Sequence, residues 1–339
     1  MQTKLVVSSS PFLRDASVST RRLMGDVVIA LIPTALAAIW FFGAPALALM
    51  LVSVVFAVLS ELVYEKITHQ KTTIDDLSAV VTGLLLAFNL PANAPWWMAA
   101  IGSVIAIVLV KQMFGGIGQN FINPALAART ILMLSWAGLI AATALPAGGQ
   151  LFGLTTVPVD AVASATPLVS SSYSLWQLFI GDIPGMLGET CKLTLILGGV
   201  YLIVRKVIDW RIPVFFIATA FILFWIQTGV IYSVESGTEN ALYQILSGGL
   251  LLGAFFMATD YVTSPVSKWG KVVMGVGCAV ILFVIRAYNN GYPEGCSFAI
   301  LFMNVLTPLI DKWTMPRTFG AVKPAKAKKS EAKQGGAKA

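Results

Sequence analysis

The amino-acid sequence predicts an all-α integral membrane protein with about ten transmembrane helices in two inverted-topology halves and both termini in the cytoplasm. Three observations predict this fold class: the composition, the recurrence of long apolar runs, and the uneven distribution of basic residues. Hydrophobic residues make up 57% of the 339 residues, charged residues make up 12%, and the mean hydropathy is +0.81. A soluble domain has about 25% charged residues, because its surface must interact with water.

Apolar runs recur along most of the chain, and about 20 such residues cross the ~30 Å hydrocarbon core of a bilayer. The runs predict ten spans, at residues 27–43, 46–64, 77–90, 96–113, 124–143, 192–206, 212–230, 241–258, 271–287 and 296–311. They divide the chain into a cytoplasmic N-terminal segment (1–26), a first transmembrane half (27–143), an extracytoplasmic loop (144–191), a second transmembrane half (192–311) and a basic, disordered cytoplasmic tail (312–339).

The start of the first span imitates a secretory signal peptide. Arg14, Arg21 and Arg22 precede its apolar run. No small-residue cleavage site follows before the next span, so we expect an uncleaved first helix.

Lysine and arginine mark the ends of the even-numbered spans. Cytoplasmic loops of membrane proteins are enriched in these residues. The loops PANAP, YSVESGTEN and NNGYPEG, after spans three, seven and nine, contain none, and none occurs between Thr130 and Cys191. We therefore expect both termini in the cytoplasm and the loop 144–191 on the opposite side. The basic residues at even-numbered ends are Lys66, Lys71, Lys111, Arg205, Lys206, Arg211, Lys268, Lys271, Lys312 and Arg317.

A weak internal repeat agrees with two inverted halves. VTGLLLAFNLP at 81–91 resembles LSGGLLLGAFFMATD at 246–260, and the two segments are five spans apart. Inverted repeats place short, glycine- or proline-interrupted helices around a site near the membrane midplane. Gly83, Gly248 and Gly249 would be such interruptions. Close helix packing through small residues explains these glycines equally well.

Neither the net charge of +7 nor the three cysteines indicate nucleic acid or a metal site. Much of the positive charge lies in the tail KPAKAKKSEAKQGGAKA, where attraction to anionic lipid headgroups explains it. Cys191, Cys278 and Cys296 show no C-x-x-C spacing, so we expect buried thiols. GGIGQN (115–120) follows an apolar membrane helix, which argues against a dinucleotide-binding fold.

Several charged residues fall inside or beside predicted spans. Arg129 and Arg286 do so, and charges there usually pair within the helix bundle. Glu61, Asp260 and Glu294 are candidates for an ion pathway, because carboxylates are costly to bury in a membrane and are often functional. Pairing with a basic group explains Glu61 equally well, and hydration at a helix end explains the other two.

The stretch Asp160-Ala-Val-Ala-Ser-Ala-Thr166-Pro167-Leu168 carries a specific resemblance. It is similar to the flavin-attachment motif of a family of membrane proteins found in two respiratory complexes. These are the D subunit of the Rnf complex (ferredoxin:NAD+ oxidoreductase) and the B subunit of the Na+-translocating NADH:quinone reductase. Further stretches resemble the same family and extend the resemblance over nearly the whole membrane region: FGGIGQNFINPALAAR (114–129), GDIPGMLGET (181–190), MATDYVTSPVSKWG (257–270) and YPEGCSFAILFMN (292–304).

The resemblance implies a covalent flavin at Thr166. In the family, a flavin transferase outside the cytoplasm links FMN through its phosphate to the corresponding threonine. Asp160 resembles the family's acidic recognition residue, and Ser164 belongs to the attachment motif. The family often has Ser-Gly-Ala-Thr, whereas Ala163 and Ser164 occupy the first two of these places here. Without the resemblance, the polar loop would indicate only a turn or a helix cap.

The resemblance also implies a noncovalent riboflavin near the cytoplasmic face. Asn120 and Asn123 are its candidate neighbours, because amide groups can hydrogen-bond the edge of a flavin ring. The alternative is that they cap the fifth helix, with Pro124 in its first turn. No catalytic residue and no metal ligand are expected in this chain.

The resemblance further implies an electron relay in the bacterial cytoplasmic (inner) membrane. The Rnf family passes electrons from reduced ferredoxin to NAD+ and exports Na+ or H+, and this chain would not be the NAD+-binding component. The implied partners are the lipid bilayer, the other membrane subunits, an extracytoplasmic flavin-bearing subunit, the cytoplasmic iron–sulfur and NAD-binding subunits, and a flavin transferase during maturation.

Two features resemble the Rnf version of the protein more closely than the quinone-reductase version. The chain begins about 26 residues before the first span, and Pro167 and Thr263-Ser264-Pro265 look like the Rnf sequence. The quinone-reductase protein is therefore the alternative within the family. A secondary transporter without covalent flavin, or a structural scaffold for partner subunits, shares the expected topology but does not explain Thr166.

Overall fold

The computed structural model describes residues 19–143, 146, 167–168, 173–231, 240–288 and 294–315. Thr166, Asp160 and Ser164 lie outside the described residues, as does most of the predicted tail. Within these ranges every regular element is a helix, and Pro91 and Met186 form an isolated antiparallel bridge. This confirms the predicted all-α class for the part of the chain that the structure describes.

Each of the five predicted spans in the first half contains a helix. A short 3-10 turn at Ile74–Asp76 precedes the third. The helices are α1 (Thr20–Phe42), α2 (Ala44–Ile67), α3 (Ser78–Phe88), α4 (Trp96–Val104, continued by a π-helix at Ile105–Gln112), α5 (Pro124–Ser135) and α6 (Ala137–Ala141).

The second half follows the same plan after a short helix in the predicted extracytoplasmic loop. That helix is α7 (Leu175–Ile180), and the segment 181–191 after it is mostly buried. The remaining helices are α8 (Lys192–Val204), α9 (Arg211–Thr228), α10 (Ala241–Leu246), α11 (Leu250–Leu252, continued by a π-helix at Gly253–Met257), α12 (Lys268–Tyr288) and α13 (Cys296–Thr314).

In the part of the chain that the structure describes, four helices are long and apolar enough to cross a bilayer on length and composition: α1, α2, α9 and α12. Shorter apolar helices occupy other predicted spans. For example, α3 has 11 residues, which at a rise of about 1.5 Å per residue is roughly half the hydrocarbon thickness. The molecule is therefore a multi-pass membrane protein, while the count of ten spans and their orientation stay predictions.

The boundaries of the first two helices have local causes. α1 begins at Thr20 instead of residue 27, because the Ser19 hydroxyl accepts a hydrogen bond from the Arg22 amide at 3.3 Å and caps the helix. Gly43, with φ of +69°, ends α1, and a proline stands in the first turn of α2. These two residues allow the tight turn between the helices.

The eighth predicted span is interrupted, as its glycines predicted, but the third is not. Between α10 and α11 the chain is extended at Ser247 and Gly248 has φ of +65°. Gly83, in contrast, lies inside an unbroken α3. A Cβ there would lie 2.8 Å from the Cα of Val54, so close packing against α2 explains this glycine and the predicted interruption is wrong. The fifth predicted span is also broken, at Trp136 between α5 and α6.

The two halves pack through corresponding helices. α1 packs against α8, so the first transmembrane helices of the two halves meet. α5 packs against α13, so the helices in the last predicted span of each half meet as well. Within the halves, α2 packs on α3 and α4, and α9 packs on α12. This arrangement agrees with two related halves that face each other, although the inverted repeat itself stays a prediction.

The outward faces of the long helices are apolar. Leu36 on α1 is 61% exposed and Ile226 on α9 is 73% exposed. Such faces suit a hydrocarbon surrounding, because a helix satisfies its own backbone hydrogen bonds and leaves only its side chains to the lipid. The polar groups described below are buried instead between the helices.

Candidate functional site

A cavity lies between the two halves, where α1, α3, the π-helix of α4, α8 and the segment after α11 meet. The cavity is partly open, and its volume is about 90 Å³. Small-molecule sites usually exceed about 300 Å³, so a ligand as large as a flavin would fill the enclosed part and extend through the open mouth. The polar residues of its wall are Ser78, Thr82, Lys111, Asn120, Asn123, Thr259, Asp260 and Tyr261.

Asn123 lines this cavity and also caps α5. Its Oδ1 atom accepts hydrogen bonds from the amides of Ala125 at 3.1 Å and Leu126 at 3.3 Å. Its Nδ2 atom donates to the carbonyl of Met257 at 3.3 Å, so the same side chain joins α5 to the other half. The predicted capping is therefore confirmed, and the amide of Asn123 is already used by the fold.

Asn120 and Asp260 interact on the same wall. Asn120 is 6% exposed, and its Nδ2 atom donates to the carbonyl of Ile122 at 3.1 Å. Burial raises the pKa of the Asp260 carboxyl above its ordinary value, and hydrogen bonds from the Val262 amide, Thr263 and Asn120 oppose that rise. The cavity thus combines an amide and a carboxyl group with apolar walls, among them Phe255 and Phe256.

Lys111 supplies the only lysine or arginine side chain among the residues described as lining this cavity. Its Nζ atom lies 2.7 Å from Oε1 of Glu61 and 2.5 Å from Oγ of Ser78. Lys111 is 3% exposed and Glu61 is fully buried. The expectation that Glu61 pairs with a basic group is confirmed, since a buried carboxylate needs such a partner.

A second set of buried charges surrounds Arg129 in the interior of α5. Nη1 donates to Oδ1 of Asn89 at 3.1 Å and to Oγ of Ser297 at 2.7 Å. Nη2 forms an ion pair with Glu294 and lies 3.6 Å from Oε1 of Glu189. The expectation that Arg129 pairs within the bundle is confirmed, and Glu294 is an ion-pair partner rather than a group that is only hydrated.

Glu189 and Lys192 connect this cluster to the residues that follow Thr166. Lys192 is fully buried, and its Nζ atom donates to the carbonyl of Glu189 and, at 3.3 Å, to that of Gly248. A small cavity beside them is lined by Pro167, Glu189, Lys192 and Glu294, together with neighbouring backbone. The carbonyl of Pro167 also accepts a hydrogen bond from the hydroxyl of Tyr243 at 3.1 Å.

Arg286 completes the buried charges near the interrupted eighth segment. Its guanidinium donates to the carbonyl of Gln244 and, at 3.1 Å, to the carbonyl of Ser247. These carbonyls belong to the end of α10, where the helix leaves its acceptors without intrahelical partners. The predicted pairing of Arg286 within the bundle is confirmed, with the backbone as its partner.

The sequence did not reveal how these groups are connected. Lys192 ends the long stretch without basic residues, and Glu189 lies three residues before it. Their position beside an apolar helix was the only sequence signal for these two residues. Lys111 was assigned to a cytoplasmic helix end, whereas it is buried. The three predicted attachment residues, Thr166, Asp160 and Ser164, lie outside the described residues.

The predicted thiols are found as expected. Cys191, Cys278 and Cys296 are free and buried.

Taken together, the apolar outer faces, the interrupted helices and the buried charge clusters define a polytopic α-helical membrane protein with polar sites between two halves.

Comparison with known proteins identifies the family. The family model described as "NQR2, RnfD, RnfE family" matches residues 6–320, and the chain belongs to this family. It is 45% identical over 339 residues to the D subunit of the Na(+)-translocating ferredoxin:NAD(+) oxidoreductase complex of Acetobacterium woodii, a match that covers 97% of this chain and 99% of the relative. The resemblance to the D subunit of the Rnf complex is confirmed.

Two further relatives agree. The chain is 40% identical to the D subunit of the proton-translocating ferredoxin:NAD(+) oxidoreductase complex of Clostridium ljungdahlii, over 93% of this chain and 96% of the relative. It is 33% identical to the D subunit of the ion-translocating oxidoreductase complex of an Escherichia coli strain, over 93% of this chain and 98% of the relative. All three relatives are named as the D component of an ion-translocating oxidoreductase complex.

Proposed function

We propose that this chain is the flavin-carrying membrane component of an Rnf-type complex, which relays electrons between reduced ferredoxin and NAD+ while Na+ or H+ is exported. The observation that carries the proposal is the attachment motif around Thr166 in a chain whose relatives are named as the D component of such complexes. Those relatives include one named as Na+-translocating and one named as proton-translocating, so the proposal names both ions.

The first part of the proposal is a phosphoester between the Thr166 hydroxyl and FMN. The neighbouring residues fit such a group. Pro167 lies over a cluster with three cations, Arg129, Lys192 and Arg286, and two carboxylates, Glu189 and Glu294. With all five groups ionised the cluster has one positive charge in excess. A phosphodiester is singly negative, and a buried charge is favoured by a nearby charge of opposite sign.

Unsatisfied polar atoms support the same placement. Within the described ranges, the Nε atoms of Arg129 and Arg286 and Oε1 of Glu189 are buried and have no hydrogen-bond partner. Such atoms are rare in native proteins, because each one costs about 1–3 kcal/mol. The cluster therefore has polar capacity that the described residues do not use.

The second part is a noncovalent riboflavin in the cavity beside Asn120, Asn123 and Asp260. When bound, a flavin supplies one-electron chemistry, and the protein supplies placement and electrostatics. Asn120 and Asp260 offer hydrogen bonds to the polar edge of the ring, while Phe255 and Phe256 offer apolar walls. Asn123 would contribute mainly by its place in the cavity wall, because its side-chain amide is already hydrogen-bonded to the start of α5 and to Met257.

The helix α5 would connect the two flavin sites. Asn123 at its start lines the cavity, and Arg129 lies six positions later in the charged cluster below Pro167. Six residues of α-helix span about 9 Å. Short separations of this kind suit an electron relay inside one chain.

In the proposed setting the protein lies in the bacterial cytoplasmic (inner) membrane. Its partners would be the other Rnf membrane subunits, an extracytoplasmic flavin-bearing subunit, the cytoplasmic iron–sulfur and NAD-binding subunits, and a flavin transferase during maturation. The alternative within the family is the B subunit of the quinone reductase. Assembled complexes distinguish the two, since an Rnf-type complex reduces NAD+ with ferredoxin and the alternative oxidises NADH with a quinone.

In-gel fluorescence tests the covalent flavin. The protein is co-expressed with a flavin transferase, denatured and separated by electrophoresis. We expect a fluorescent band for the wild type, none for Thr166→Ala, and an unchanged band for Thr156→Ala, a threonine of the same loop outside the motif. A dark wild-type band, or a Thr166→Ala band as bright as the wild type, would contradict the proposal and favour a transporter or scaffold without covalent flavin.

A further inference from the structure

The buried side chains of Lys111, Glu61 and Ser78 form a network behind one wall of the proposed riboflavin cavity. Lys111 donates to Glu61 and Ser78 at 2.7 and 2.5 Å. Nε2 of Gln112 donates to the same Oε1 atom of Glu61 at 2.7 Å. Three helices contribute to the network, because Glu61 lies on α2, Ser78 begins α3, and the other two end the π-helix of α4.

Two neighbouring residues of the π-helix reach one carboxylate oxygen. In a regular α-helix, consecutive side chains point about 100° apart. Lys111 and Gln112, the last two residues of the π-helix at Ile105–Gln112, nevertheless both contact Glu61. Single π-turns inside α-helices occur frequently at functional sites. This local geometry fixes the position of the ammonium group of Lys111.

The network is oriented with respect to the cavity. Lys111 and Ser78 line the cavity wall, whereas Glu61 is fully buried behind them and is absent from the wall. A ligand in the cavity therefore meets the positive end of the Lys111–Glu61 pair first. Asp260 is the acidic residue on the wall, and it is hydrogen-bonded to Asn120 and Thr263.

The carboxylate of Glu61 makes all its described hydrogen bonds through one oxygen. Its Oε1 atom accepts from Lys111 and Gln112, and from the hydroxyl of Thr73 at 3.3 Å. Its Oε2 atom is buried and has no hydrogen-bond partner among the residues that the structure describes. Lys111 at the wall and Glu61 behind it are thus two opposed charges at different depths, and each affects the cavity with its own sign.

We infer that Lys111 and Glu61 set the reduction potential of the noncovalent flavin, with Lys111 raising it and Glu61 lowering it. The inference rests on the proposed riboflavin site and gives that site an electrostatic control. One electron from a reductant adds a negative charge to the bound ring, and no bond to the protein forms or breaks. A nearby cation stabilises that charge and a nearby carboxylate destabilises it, because the interior screens charges weakly.

Redox titration of the purified protein tests this inference with four variants: Lys111→Met, Lys111→Arg, Glu61→Gln and the double variant Lys111→Met/Glu61→Gln. Each sample is reduced stepwise with dithionite in the presence of mediators, and the visible absorbance of bound flavin is recorded. The covalent flavin of the same molecule serves as an internal reference. The double variant leaves no unpaired buried charge, so it provides the result if Lys111→Met alone does not fold.

We expect Lys111→Met to decrease the equilibrium constant for one-electron reduction of the noncovalent flavin at least tenfold, which is about 59 mV. Glu61→Gln should increase it, the double variant should lie between the two, and Lys111→Arg should resemble the wild type. The reduction potential of the covalent flavin should not change in any of these variants. Opposite shifts distinguish electrostatic control from a structural role, which would move both single variants in one direction.

The inference is overturned if Lys111→Met and Glu61→Gln shift the potential in the same direction, or if the double variant and both single variants match the wild type while flavin remains bound. Wild-type protein that carries covalent flavin but no noncovalent flavin would overturn the riboflavin site, and this inference with it. The two failures are therefore distinguished by whether the wild type binds the second flavin.

Discussion

Arg129 on α5 forms an ion pair with Glu294, two residues before α13, so a charge from the first half is neutralised by a charge from the second. Their separation is 165 residues in sequence. The guanidinium is 3% exposed and also bonds Asn89 and Ser297. The contact between the two halves thus includes a buried polar network as well as apolar packing.

Replacing Arg129 with alanine should strongly destabilise the protein. The change leaves Glu189, which is buried, and Glu294, which is 17% exposed, without the guanidinium that pairs with them, and breaking a buried pair in this way costs about 3–5 kcal/mol. Arg205→Ala is the matched control, because Arg205 pairs with Asp26 but its side chain is 42% exposed. Asp26 is 11% exposed and keeps a hydrogen bond from the hydroxyl of Tyr201, and solvent screens the exposed guanidinium, so the loss should be smaller than for Arg129→Ala. Thermal unfolding in detergent measures both, and equal losses would contradict a buried role for Arg129.

Replacing Gly83 with alanine should destabilise the packing of α3 on α2. A Cβ atom there would lie 2.8 Å from the Cα of Val54 and 3.0 Å from the carbonyl oxygen of Ser53. Such overpacking costs about 1–3 kcal/mol. Gly138→Ala is the control, since an added Cβ on α6 meets nothing within 4 Å. Melting temperatures should fall for Gly83→Ala and stay level or rise for Gly138→Ala; a fall of similar size in both would contradict the packing argument.

Asp209 should make part of the stability depend on pH. Burial opposes its ionisation, but hydrogen bonds from the Arg211 amide and Lys271, with the charges of both residues, lower its pKa below the ordinary 3.8. A lowered pKa gives stability that is present above the ordinary value and lost as the pH falls through the lowered one. The loss should be small, about 1 kcal/mol or less, because the pair is near the surface.

Unfolding curves at a series of pH values check this prediction. Asp209→Asn should reduce the loss of stability on acidification below about pH 4 relative to the wild type. Asp75→Asn, which removes an exposed carboxylate, is the control and should leave the curve unchanged. An Asp209→Asn curve parallel to that of the wild type across the acidic range would exclude the proposed contribution.

The predicted orientation can be examined by cysteine labelling. With the three native cysteines buried, labelling at an introduced cysteine has a low background. A membrane-impermeant thiol reagent applied to intact cells should label Thr166→Cys but not His69→Cys, and should label both after the membrane is broken. Labelling of position 69 alone in intact cells would invert the topology and remove Thr166 from the side where the transferase acts.

The sequence was sufficient for features that depend on local pattern. Apolar runs located helices in all ten predicted segments, and Asn123 before Pro124 predicted the cap of α5. The pairings of Lys111 with Glu61, 50 residues apart, and of Arg129 with Glu294 could not be predicted in the same way. Such contacts depend on which faces of distant helices meet, and the hydrophobic pattern of one helix does not specify that. Gly83 shows the same limit, because the close contact that requires a glycine there is with Val54 on α2.

The most direct test of the central claim is the mass of the peptide that contains Thr166. Trypsin cleaves after Arg129 and Lys192, and no lysine or arginine lies between them, so one peptide contains the whole predicted loop. In protein co-expressed with a flavin transferase, we expect this peptide to carry the mass of FMN less one water, with fragmentation that assigns the group to Thr166. An unmodified peptide, or a flavin on another residue, would contradict the account.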